Sequence, residues 1–250
     1  MSTPARHLTV RGTYNLRDLG GYTTAQGTQI PWRRFLRADC LHRLEDGEAS
    51  RLHFEGLRQV VDLRTPAEVM EAPSLFGTHP GVEFVNLPLF GALSPAALAE
   101  GEAPDGHPLL AFYVTAIETR GTAIRDILSR ISEVREGAVL FNCTAGKDRT
   151  GIIAALLLGI AGVTPREIVA DYAMTEALIP DLVAQFLDAS RARGGDVEAY
   201  ARLLESPAST MAGFLSYIDA TYGSVMGYMD HIDLPLDAAA RLQSRLGLTG

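Results

Sequence analysis

Cysteine is scarce in this 250-residue chain: only Cys40 and Cys143 occur. Two such residues cannot build a disulfide framework or a cysteine-rich metal centre, and a reactive thiol suits a reducing compartment. Long apolar runs are missing too. The longest, Ile152 to Val163, is too short to span a bilayer and suits a buried helix, so no stable membrane insertion is expected. Basic charge is in deficit, with 22 Lys and Arg against 30 Asp and Glu and a net charge of −8. That argues against wholesale binding to nucleic acid or an anionic membrane, since either would favour a basic face. Pro4, Arg6 and His7 interrupt any apolar segment at the N-terminus, so no secretory leader is expected and the location read is cytoplasmic. Repeats, low-complexity tracts and inter-domain linkers are absent. The length and the 47% hydrophobic content then predict one domain, residues 1–250, with a substantial core.

What is present is one dense motif, Asn142-Cys143-Thr144-Ala145-Gly146-Lys147-Asp148-Arg149-Thr150-Gly151. The apolar run Ala138 to Phe141 before it reads as a buried strand, and Ile152 to Leu158 after it reads as a buried helix. A strand, a tight loop and a helix N-terminus form an anion trap: backbone N–H groups between Cys143 and Arg149 can turn onto one oxyanion while the helix dipole adds positive potential. The residues expected to hold a phosphate are Thr144, Ala145, Gly146, Lys147, Asp148 and Arg149.

The same field favours a thiolate at Cys143, which becomes the candidate nucleophile. Arg149 offers a planar two-donor fork to two phosphoryl oxygens and stays charged throughout. Thr150 is expected to donate its hydroxyl to the sulfur. Gly146 and Gly151 allow close backbone approach or positive φ. A nucleotide-binding loop of the Walker type needs Gly where Phe141 stands and Ser or Thr where Asp148 stands, so that reading fails.

This constellation resembles the cysteine-dependent protein tyrosine phosphatases, specifically the bacterial tyrosine/lipid phosphatases whose loop reads His-Cys-x-x-Gly-Lys-Asp-Arg-Thr-Gly. Further segments match in the family's order: Asn15 to Gly21, Arg37-Ala38-Asp39, Val61 to Arg64 and Tyr222 to Tyr228. The resemblance implies a metal-independent, cofactor-free phosphatase acting on phosphotyrosine, phosphoserine or phosphothreonine, or phosphoinositides, through a cysteinyl-phosphate. One departure bears on the thiolate environment. Asn142 stands where the family has a His that holds the loop and helps keep the Cys ionised. An uncharged amide there predicts a slower enzyme.

The rest of the chain predicts an α/β fold, a central mainly parallel sheet flanked by helices. Expected strands are Leu8–Val10, a hairpin of Tyr22–Thr24 with Thr28–Ile30, Arg34–Ala38, Gln59–Leu63 and Val82–Leu87. Expected helices are Asp46–Glu55, one starting at Thr65-Pro66 with a capping box, and a long one over Leu109–Glu133 bent at Gly121. Others start at Pro165 and cover Met211–Tyr222, Val225–His231 and Asp237–Leu246. A helical pair, Pro180–Arg193 and Val197–Glu205, has no obvious partner in a compact core; residues 178–207 would match a lid in the resembling family. Arg17 and Asp18 could pair with each other or the core, or meet ligand; Asp62 and Arg64 favour structural pairing.

The leaving oxygen needs a proton. Asp148, inside the loop, is the first candidate for the acid, with an ion pair to Lys147 or Arg149 as its competing role. Asp105 is the Asp available in the loop Gly91–Pro108, which has the composition of a mobile surface segment, and some relatives carry Asp in place of Gly91. Lys147 would sit at the rim, reading a second phosphate or balancing Asp148 in solvent. Cys40 reads as core, with a reversible disulfide to Cys143 as the alternative. Two rivals remain: a phosphate-binding pseudophosphatase, because of Asn142, and a rhodanese-type sulfurtransferase. Physiological substrate and oligomeric state are not encoded in these patterns.

Overall fold

A computed structural model describes residues 5–91 and 108–248. Five strands form one sheet in the order β1-β2-β5-β3-β4, where β1 is Arg17–Asp18, β2 Phe35–Ala38, β3 Leu57–Asp62, β4 Glu83–Asn86 and β5 Ala138–Asn142. β1 runs antiparallel to β2, and every other neighbouring pair is parallel. β5 is buried along its length because it lies between β2 and β3, which is why its sequence is a continuous apolar run rather than an alternation. Registers Ala38↔Asn142 and Asp62↔Asn142 bring three strand ends to one edge. Ligands of open parallel sheets gather at that edge.

Eleven described helices of at least six residues flank the sheet. They are α1 Asp46–Phe54, α2 Pro66–Glu71, α3 Pro108–Thr119, α4 Gly121–Ser132, α5 Asp148–Ile160, α6 Pro165–Leu178, α7 Pro180–Ala192, α8 Val197–Leu204, α9 Ala208–Tyr222, α10 Val225–His231 and α11 Leu236–Arg245. The larger core gathers α3 to α6 and α9 to α11 around Phe141, Leu156 and Phe214. A smaller one packs α1 on the other face through Ala49 and Leu52. α5 is apolar on all sides because core surrounds it.

Thr65 caps α2 with the expected reciprocal box to Glu68, and Thr164 caps α6. The hairpin forms, closed by Thr24 N–H to Thr28 O at 2.8 Å. Two expectations differ. Leu8–Val10 is not a strand: His7 makes a single bridge to Arg17, and the chain turns back through Thr13 N–H to Val10 O and Gly12 at φ +92° before a ladder can extend. The long helix is two helices: Arg120, at φ −117° and ψ 21°, separates them, and Ile232 packs where a Cβ at Gly121 would stand, 2.9 Å away. Asp105 and the loop around it lie outside the described residues. No helix of the described residues is long and apolar enough to cross a membrane.

Candidate active site

The loop after β5 runs directly into α5, as its sequence requires. Gly146 takes φ +68°, and a side chain there would meet the backbone of Ala38 at 2.6 Å, so the position demands glycine. Gly151 is needed for packing instead: a Cβ would press on Tyr172 at 3.1 Å. Cys143, Thr144, Ala145, Asp148 and Arg149 line one cavity, walled above by Phe90, Phe186, Tyr200, Leu203 and Leu204. A polar floor at a helix N-terminus thus meets a largely apolar wall.

Arg149 is buried and held by a residue read from sequence only as a helix cap. Its Nη1 and Nη2 donate to the two carboxylate oxygens of Glu68 at 2.7 and 2.8 Å. Nη1 also donates to Phe90 O and Nη2 to Thr144 Oγ1, while Thr144 Oγ1 donates to Glu68. Burial works against charge on both partners. The paired hydrogen bonds outweigh it, holding Glu68 down to about 2 and raising Arg149. No local pattern signals this pairing, since it spans 81 residues.

Asp148 lines the cavity and accepts from Tyr113 Oη at 2.6 Å, and its Oδ1 lies 3.3 Å from Lys147 Nζ. Tyr113 also meets Tyr172 Oη at 2.9 Å; burial, then Asp148, pushes the Tyr113 phenol up, so it stays a donor. Lys147 is not a rim cation. It is buried, and Nζ donates to the carbonyls of Leu203 and of Glu205, the latter at 2.8 Å. The end of α8 exposes those carbonyls, and an ammonium satisfies them better than water can reach them.

Thr150 does not make the expected bond to sulfur: its Oγ1 is buried without a hydrogen-bond partner among the described residues. Asn142 is buried, with Nδ2 weakly placed at 3.5 Å from Cys143 O and Oδ1 without a partner among the described residues. Cys40 and Cys143 are both free and buried. Arg17 and Asp18 face the core: Arg17 pairs with Asp171 at 3.2 Å, and Asp18 accepts from Gly20 and Arg33 backbone N–H groups. Asp62 and Arg64 pair with each other at 2.6 Å. Among the described residues no group of three or more His, Cys, Asp or Glu could hold a metal ion.

A family model described as the tyrosine phosphatase family matches residues 8–247. The chain belongs to that family. The phosphatase is 31% identical to a tyrosine-protein phosphatase of Nostoc commune over 90% of this chain and 78% of the relative. It is 29% identical to the triple specificity protein phosphatase PtpB of Mycobacterium tuberculosis over 87% of this chain and 91% of the relative. A solved structure of P. aeruginosa TpbA in complex with phosphotyrosine aligns with 68% of this chain and 85% of that one, at 17% identity and a TM-score of 0.29. The family match supports the cysteine-dependent phosphatase reading.

Proposed function

We propose that this phosphatase hydrolyses phosphomonoesters through a cysteinyl-phosphate intermediate, with aryl esters such as phosphotyrosine favoured. The observation carrying the reading is that Cys143 and Arg149 share one cavity at the N-terminus of α5. Cys143 Sγ attacks phosphorus as the ester P–O bond breaks, and the leaving oxygen takes a proton from Asp148. Water then attacks phosphorus, gives its proton to Asp148, and releases phosphate and the thiolate. Arg149 and the loop N–H groups, with the helix dipole, stabilise the equatorial oxygens. The phosphate competes with Thr144 Oγ1 for Arg149 Nη2.

Phe90, Phe186, Tyr200, Leu203 and Leu204 give an aryl leaving group an apolar slot. Serine and threonine phosphates and phosphoinositides fit the chemistry but gain less from that slot, and buried Lys147 is not presented to a second phosphate. α7 and α8 act as a lid. Hydrolysis of para-nitrophenyl phosphate with chelator present should vanish in Cys143→Ser. Asp148→Asn should lose more on alkyl than on activated aryl phosphates; equal losses would remove Asp148 from the acid role.

A further inference from the structure

The phosphate loop works only if its peptide planes present N–H groups to the cavity, and the structure shows what turns them. No peptide in the described chain is cis, so a carbonyl directed away from the cavity directs the next residue's N–H into it. Four consecutive loop carbonyls are held. Thr144 O accepts from Cys40 N–H at 3.1 Å, and Lys147 O from Gly151 N–H within α5 at 2.7 Å. The two at the apex are held by side chains. Asn15 Nδ2 donates to Ala145 O at 3.0 Å and Gly146 O at 3.1 Å, and Arg37 Nη2 donates to Gly146 O at 2.8 Å.

These two side chains are themselves fixed. Asp39 accepts the backbone N–H groups of Tyr14 and Asn15, the latter at 2.9 Å. Arg17 Nη1 donates to Asn15 Oδ1, which leaves the amide only its NH₂ to turn toward the loop. Arg17 and Arg37 both pair with Asp171, at 3.2 and 2.5 Å, and all three are buried. Two guanidiniums thus share one buried carboxylate, which fixes Arg37 where it meets Gly146 O. The side chain at position 142, by contrast, makes one weak contact among the described residues, and its oxygen has no partner there.

We infer that Asn15 and Arg37 are positioning residues that hold the phosphate loop in its anion-binding form from beneath, the work that the family resemblance gives to a His where this chain has Asn142. This deepens, and rests on, the phosphatase reading. The test measures para-nitrophenyl phosphate turnover, competitive inhibition by inorganic phosphate and melting temperature on one set of proteins. Asn15→Asp keeps shape and the acceptor for Arg17 but loses both donors; Arg37→Met loses charge and donor, and Arg37→Lys keeps them. Tyr22→Phe removes a 3.0 Å bond to the same Asp171 without touching the loop.

Asn15→Asp and Arg37→Met should each lower kcat/KM about 100-fold, the scale of a displaced reacting group, and weaken phosphate inhibition in parallel. Arg37→Lys should recover most of both, and Tyr22→Phe should lower only the melting temperature. Phosphate inhibition within about twofold of the parent in Asn15→Asp and Arg37→Met would overturn the inference. So would Arg37→Lys no better than Arg37→Met, or Tyr22→Phe weakening phosphate as much as Asn15→Asp. If Asn15→Asp does not fold, the Lys and Met variants of Arg37 decide. A parent that neither binds phosphate nor depends on Cys143 would sink the phosphatase reading instead.

Discussion

Beneath the cavity the phosphate loop rests on buried Asn15, Arg37, Asp39 and Asp171, each bonded at least twice. Above it the helical pair is attached more thinly. α7 buries Leu182, and α8 buries Leu203 and Leu204. A small cluster joins Ala145 of the loop to Ile179 and Leu182, and Lys147 ties the loop to the end of α8. Floor and cover therefore differ in how many buried groups must move together. A floor bonded through desolvated charges resists displacement, whereas a cover held by apolar contacts, the Lys147 ammonium and the exposed hydrogen bonds of Gln185 to Arg43 and Tyr14 can open locally at smaller cost. Changes below should alter the chemistry; changes above should alter access.

Cys143→Ser gives the largest expected effect, a fall in kcat on the order of 10⁴-fold or more with para-nitrophenyl phosphate, because the nucleophile itself is lost. Glu68→Ala comes next. Freed from its carboxylate, Arg149 should lose its orientation and kcat about 100-fold. A fall in KM alone, with kcat unchanged, would separate Glu68 from the floor.

Acid stability probes the floor differently. Glu68 is held at about 2 by Arg149, and Asp171 at about 2 by Arg17 and Arg37, in each case against burial. Unfolded carboxylates protonate near ~4, so these two groups stabilise the fold in full above ~pH 5 and lose that contribution as pH falls toward ~2. Asp39 works the other way: burial raises it to about 6 despite the Asn15 and Tyr14 N–H groups. Its contribution is therefore most favourable below ~4 and declines as pH rises toward 6. Urea denaturation of Glu68→Gln should show a smaller loss between ~pH 5 and ~pH 2.5 than the parent. An unchanged loss would mean that the Arg149 pairing does not set acid stability.

Lys147→Met should act on the cover. KM is expected to rise about five- to tenfold, the scale of lost charged hydrogen bonds, with faster hydrogen exchange across residues 180–204. Lys147 is the chain's only lysine, so amine acylation followed by mass spectrometry reads the same contact directly. Rapid acylation of Lys147 in the folded parent would contradict a closed latch. Asn142→His should give the smallest change, a gain in kcat of about threefold, since Asn15 and Arg37 already carry the loop-holding role. A gain far larger than that would return the role to position 142.

Much of this was legible in local sequence. The loop, its strand and its helix announced themselves because chemistry and chain connectivity coincide over ten residues, and the Thr65 and Thr164 caps follow from hydrogen bonds only three residues long. The sequence signals a bend at Gly121 but not a separation, and the residue that packs on Gly121, Ile232, lies more than a hundred residues away. Lys147 was misread for a similar reason: nothing beside it in the chain indicates that the end of α8 will lie over it.

The sequence alone pointed to Cys143 and Arg149, to the loop between a strand and a helix, and to most of the strands and helices, because each rests on neighbours in the chain or on simple periodicity. Tertiary structure decided which acid grips Arg149, where Lys147 points, and what turns the loop carbonyls outward. Those outcomes depend on desolvated charges and amides meeting across intervals of 56 to 131 residues. Such pairs become strong only once folding removes water from between them.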